Sequence, residues 1–290
     1  MKLVWKFNLV LLAIFLLGFA IAGFVSQRVL QHNAREEIVQ NARLMMEAAL
    51  ASRSYTNSQI KPLLEPQLKF SFLPQSVPAY AATEVFNDLR KNHPDYGYKE
   101  ATLNPTNPRD RASDWEADVV HAFRNAPETK EIVGERDTAT GPALYLARPI
   151  QITNAACLSC HTTAESAPRT MVDLYGPANG FGWKMNEIIG AQVVSVPMSV
   201  PIDRAKQTFK SFMLSLTLIF VISFVLLNAS LHFMVIRPVT KLAKIADEVS
   251  LGNFDAGDFK AHSKDEIGTL SEALGRMKTS VVQAMKMLET

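Results

Sequence analysis

Cysteine is almost absent: Cys157 and Cys160 are the only two in 290 residues. That excludes a disulfide-stapled scaffold, which needs several bridges. It also argues against a structural zinc site, which commonly takes two ligand pairs. An excess of one charge is lacking too, with 30 Lys and Arg against 28 Asp and Glu and a net charge of +2. There is no concentrated basic face of the kind nucleic-acid binding requires. No internal repeat is visible. The length allows one sizeable core with extra elements.

Charge is missing altogether from two long stretches. "FNLVLLAIFLLGFAIAGFV", residues 7–25, has Asn8 as its one polar residue. A bilayer core takes about 20 apolar residues in a helix, so this run is long enough to span. "SFMLSLTLIFVISFVLLNASLHFMVI", residues 211–236, lies between Lys210 and Arg237. Its serines, Asn228 and His232 suit a helix packed on another helix. Lys2 and Lys6 precede the first run, and Arg237, Lys241 and Lys244 follow the second. The positive-inside rule puts both ends in the cytoplasm of a bacterial inner membrane and residues 26–210 in the periplasm. "AIA" at 20–22 resembles a signal-peptide cleavage site. The apolar run continues past it through Phe24 and Val25, which favours a retained anchor. The expected organisation is a cytoplasmic stub (1–6), a transmembrane helix (7–25), a periplasmic domain (26–210), a second transmembrane helix (211–236) and a cytoplasmic module (237–290).

Within the middle region, residues 26–64 carry apolar groups at helical spacing and no glycine, predicting one long helix with an end or kink at Pro62. A proline-rich stretch, 66–108, reads as loop. "DRASDWEADVVHAFRNA" predicts a short helix with Trp115, Val119, Val120 and Phe123 inward. "KEIVGERD" and "ALYLARPIQI", joined by "TATG", read as a hairpin, and residues 187–200 as a final strand. The expected fold class is α+β with an antiparallel sheet.

The two cysteines stand in "CLSCH", with His161 directly after Cys160. A disulfide here would close a very small loop and leave His161 unexplained. A thiol–disulfide oxidoreductase uses the same C-x-x-C and fits an oxidising compartment, but the motif lies outside any βαβ unit. Covalent haem c uses all three residues: two thiols for two vinyl groups and an imidazole for the iron. That reading is preferred: one haem c held by Cys157 and Cys160, with His161 as axial ligand.

Several blocks then point to a family. "ASRSYTNSQIKPLL", "ATLNPTNPRDRASDWE", "ARPI" ahead of "CLSCH", and "YGPANGFGWKMNEIIGAQVVSVPM" resemble bacterial membrane-anchored sensors with a periplasmic PAS-like c-haem domain, formerly a domain of unknown function. The resemblance covers roughly residues 40–200. It implies a PAS-like fold and redox or small-ligand sensing. It also implies a distal iron ligand from the helix before "SRSYT", a cysteine in some members, which this chain does not have there. Met46 is then the preferred sixth ligand, with Met45 next and His121 as an outside candidate. Methionines on an apolar helix face are also ordinary core residues. An open distal site beside Ala49 would admit NO or CO. Arg53 and Tyr55 are candidates for a haem propionate, guanidinium matching carboxylate; a surface salt bridge is the competing role for Arg53. Trp115 and Trp183 are expected to pack.

After residue 236, Pro238 suits the first turn of a helix through Val239, Leu242, Ala246 and Val249, closed by Gly252. "DEIGTLSEALGRMKTSV" restarts a second helix through Ile267, Leu270, Leu274 and Met277. Helix, connector and helix resemble a HAMP relay, which would bury its seam in a homodimer as a parallel four-helix bundle. An ordinary juxtamembrane coiled coil is the alternative. The expected protein is a non-enzymatic, dimeric membrane sensor acting on a separate cytoplasmic partner. The rival readings are a membrane-anchored electron-transfer cytochrome with a periplasmic redox partner, and the thiol oxidoreductase.

Overall fold

A computed structural model describes residues 3–259 and 264–288. Lys2 and part of the polar connector ahead of the last helix lie outside the described residues. The chain divides into two units, residues 24–209 and residues 1–23 with 210–290.

In the first unit, helix α1 (Leu3–Tyr55) supplies its C-terminal half. A π-helical segment, Thr56–Ile60, joins it to α2 (Lys61–Leu68). Pro62 therefore causes no break. It has no N–H to give, and the wider turn just ahead of it absorbs the missing bond. The 66–108 stretch is not all loop: it holds α3 (Pro78–Arg90) and β1 (Gly97–Thr102). Pro78 starts α3 at a position where a missing N–H costs nothing. Helix α4 (Asp114–Asn125) is fixed by a Ser113–Glu116 capping box. Strands β2 (Ile132–Thr138) and β3 (Gly141–Gln151) form the expected hairpin, and β4 (Ile188–Pro197) follows. Between β3 and β4 lie the short helices α5 (Leu158–His161) and α6 (Arg169–Tyr175).

The sheet is antiparallel throughout, in the order β1-β4-β3-β2. Side chains alternate across it. Tyr98, Leu144, Leu146, Val194 and Val196 point to one face, where Ile38, Ala42, Met46 and Ala49 of α1 and Phe86 of α3 complete a core. Ala101, Ala147, Ala191 and Val193 point to the other, covered by Val119, Val120 and Phe123 of α4. The first core also holds a buried polar chain. Arg53 pairs with Glu100, Tyr98 donates to Glu100 at 2.8 Å, and Gln192 donates to the Tyr98 hydroxyl at 3.2 Å.

In the second unit, α1 and α7 (Ser199–Ser230) are both long and apolar enough to cross a membrane. Phe15 stacks on Phe220 with ring centroids 4.9 Å apart. Ser215, Thr217 and Asn228 bond to carbonyls four residues back, so their polar atoms are satisfied within the helix. Helix α7 continues through a π segment, Leu231–Ile236, into α8 (Arg237–Ser250), with Pro238 in the first turn of α8 as expected. Gly252 at φ +89° ends α8. Helix α9 is Glu266–Leu288. The buried residues of α8 are Leu242, Ile245 and Val249. Ile245 thus takes the place expected for Ala246, because the buried stripe steps by three and then four.

Candidate haem-attachment site

The site is built on one tight turn. Asn154 accepts a hydrogen bond from the Ala156 amide at 2.9 Å, opening a 3-10 turn, Ala155–Cys157, that runs into α5. Cys157, Cys160 and His161 therefore share about two turns of chain. Both cysteines are free thiols and half-buried.

His161 is held from outside that turn. Its Nδ1 lies 2.7 Å from the carbonyl oxygen of Gly180. A carbonyl accepts only, so Nδ1 carries the proton and Nε2 keeps its lone pair. The ring stacks on Trp183 at 3.8 Å and 13°. Burial lowers the imidazole pKa, and the Gly180 carbonyl partly opposes this. The result is an oriented, neutral imidazole of one tautomer, the form a metal takes up.

The Gly180 loop is itself tied down. Its amide donates to Asn104 at 3.2 Å, and Asn104 donates to the Phe181 carbonyl at 3.3 Å. Trp183 and Gly182 amides bond to His161 and Thr162 carbonyls at 3.2 and 2.9 Å. Gly180 has φ +85°, and a Cβ there would stand 2.8 Å from the Thr106 Cα. Only glycine fits both the dihedral and the space. Gly180→Ala should therefore lower stability by about 1–3 kcal/mol through backbone strain, read as a fall in thermal midpoint. Thr106→Ala should cost far less, since it only opens space.

The other expected site residues lie elsewhere. Met46 is fully buried in the core between α1 and the sheet, and Met45 packs beside it. Ala49 is buried in the same cluster, where it packs tightly. His121 is exposed on α4, which covers the opposite face of the sheet. Arg53 is engaged by Glu100, a carboxylate only 4% exposed, so its salt bridge is an internal one. Tyr55 is 59% exposed. Trp115 packs on Tyr145, as expected for a packing residue. Asn104, Thr106 and Gly180 carry no distinctive chemistry of their own; with Trp183 they lie in "ATLNPTNPRDRASDWE" and "YGPANGFGWKMNEIIGAQVVSVPM".

The described residues thus hold an antiparallel-sheet domain with a C-x-x-C-H turn and an oriented imidazole, two apolar helices and a helical tail. The family model "Tll0287-like: Tll0287" matches residues 31–197, more than half of the chain, and the protein belongs to this haem-protein family. The HAMP domain model matches residues 231–283, so a HAMP domain follows. Among solved structures, "Crystal structure of the cyanobacterial heme-protein Tll0287" is similar at 15% identity and a TM-score of 0.44, covering 56% of this chain and 95% of that one. No curated protein matches. The pairing of the two domains suggests a signal-transducing sensor associated with a membrane.

Proposed function

We propose that the protein is a dimeric sensor of the bacterial inner membrane that holds one covalent haem c on Cys157 and Cys160. His161 serves as an axial ligand, and a redox or small-ligand signal passes to a separate cytoplasmic partner. The observation that carries the reading is the His161–Gly180 bond beside two free thiols. It leaves Nε2 available and fixes the ring that would present it. Haem, when bound, supplies an iron whose charge and ligation change with redox state or a diatomic ligand. The chain's own residues orient the imidazole, keep it neutral and supply the thiols. Met46 as sixth ligand requires its sulfur to leave the core cluster. The flanking charges Lys6, Arg237, Lys241 and Lys244 support a periplasmic haem domain and cytoplasmic termini. The PAS-like reading is supported by the antiparallel sheet with a long N-terminal helix across one face.

A pyridine haemochrome spectrum of the purified protein tests the cofactor. A covalent haem c signal is expected. A colourless folded protein made with haem c maturation enzymes would remove both haem readings and favour the thiol oxidoreductase.

The relay has its own test. On α9, Leu270, Met277, Val281 and Met285 repeat by seven and four and are exposed, Leu270 by 43%. That stripe is the surface a second copy would cover. Met277→Cys should crosslink between copies, to a degree that differs between oxidised and reduced haem. Leu242→Asp should abolish crosslinking, because a charge inside the bundle costs several kcal/mol. Haem should survive, since its domain has a separate core. Crosslinking blind to haem state would favour an electron-transfer cytochrome.

A further inference from the structure

A cavity of about 500 Å³ opens beside the sheet, and none of the residues holding His161 lines it. Its strand residues, Gly97, Ser195, Ala143 and Thr138, lie at the ends of the strands opposite to Gln151 and Ile188, which flank the cysteine segment. The volume is within the range of about 300–1,000 Å³ usual for small-molecule sites.

Most of the charge in the lining is already matched. Lys99 pairs with Glu116 at 2.7 Å, and Arg109 pairs with Glu84 and lies over the Tyr80 ring. Arg90 and Asp95, also in the lining, are exposed to solvent. Two half-buried groups of opposite sign remain. The Arg136 guanidinium stacks on Trp115 at 4.3 Å. Among the described residues it pairs with no carboxylate and donates no hydrogen bond. The Asp110 side chain is 20% exposed, and its ion pair is a long one, 3.6 Å to the Nε of Arg109, whose guanidinium also pairs with Glu84. Its carboxylate accepts no hydrogen bond among the described residues. Burial, opposed by Arg109 and reinforced by Glu100, raises its pKa to about 6. A desolvated carboxylate with only a long, shared ion pair and a guanidinium short of an anion thus line one cavity.

We propose that this cavity binds a small zwitterion of the amino-acid class, its carboxylate taken by Arg136 and its ammonium by Asp110, against the apolar wall of Trp115, Ala143 and Val193. A ligand with a single charge would satisfy one of the two groups and leave the other as it is. A zwitterion satisfies both, and charge-assisted hydrogen bonds to a desolvated group are the stronger kind. The site also has a route to His161. Asn107, whose side chain accepts from the Arg109 amide at 3.2 Å, joins the Asp110 turn to Asn104 and Thr106 of the His161 cradle.

Isothermal titration of the full-length protein in detergent with each of the common L-amino acids tests this. At least one should give saturable binding. Butyrate and n-butylamine, each carrying one of the two charges, should bind about tenfold more weakly or worse, the loss of one charge-assisted bond. Arg136→Gln and Asp110→Asn, checked for folding by thermal melts, should each weaken binding to a similar degree. The double variant Cys157→Ala/Cys160→Ala should bind like the parent, so the result stands apart from the haem reading. No saturable binding by any L-amino acid would overturn the proposal. So would butyrate or n-butylamine binding as tightly as the amino acid, which decides the matter even if a variant fails to fold. Undiminished binding in folded Arg136→Gln and Asp110→Asn would do the same.

Discussion

Cys157→Ala/Cys160→Ala should remove all haem that survives denaturation. The expected result is all-or-none, because these are the only thiols in the chain and both are free. On a denaturing gel stained for haem peroxidase activity, the parent should give a band at about the chain mass of 32.1 kDa. The variant should give none, and neither should the parent expressed without haem c maturation enzymes. The polypeptide should still fold. Both cores of the sheet lie outside the turn that carries the cysteines, and neither cluster contains Cys157, Cys160 or His161. Circular dichroism separates loss of haem from loss of fold. A haem-staining band in the double variant would rule out thioether attachment at these positions.

Arg53→Ala should be strongly destabilising. Its partner Glu100 is buried, and the remaining bond to that carboxylate comes from Tyr98. Burial alone would lower the Arg53 pKa, but Glu100 outweighs it and the net direction is upward, as expected for a stabilised ion pair. Removing the guanidinium leaves a negative charge inside the protein, at a cost of about 3–5 kcal/mol. Arg53→Met combined with Glu100→Gln should recover most of that, since a buried pair replaced whole is often neutral. Chemical denaturation of the three proteins checks both claims. A cost under about 1 kcal/mol, the range of an exposed pair, would mean that the pair is not buried in solution. The same experiment bears on haem binding. Arg53 can meet a propionate only by sharing or leaving Glu100, so a stability loss with unchanged haem content would assign it to the core.

Much of the fold was legible in the sequence. The apolar runs, α4, the β2–β3 hairpin and β4 are all local patterns, each readable within a dozen or so residues. Helix α3 and strand β1 were hidden in a stretch dense with proline. In β1, "GYKEAT" shows no clean alternation, because Lys99 and Glu100 point to opposite faces and each finds its charge partner far away in the chain. At Pro62, where an end or kink was expected, and at Pro238, expected in the first turn of a helix, π-helical turns lead into α2 and α8 with each proline in the first turn.

The candidate site divides in the same way. The sequence by itself determined that two thiols and an imidazole stand within five residues of one another, a spacing fixed by the chain whatever its fold. It also determined that two helices are apolar enough for a bilayer, since that depends on composition and length alone. Only the tertiary structure decided that His161 is neutral, protonated at Nδ1 and stacked on Trp183, and that Met46 sits in the core while Arg53 is committed to Glu100. Those outcomes depend on groups brought together across the fold, such as a carbonyl 19 residues beyond His161 and a carboxylate 47 residues beyond Arg53. A hydrogen bond or ion pair acts over a few ångströms of space, and no periodicity along the chain reports which distant residues the sheet will bring within that reach.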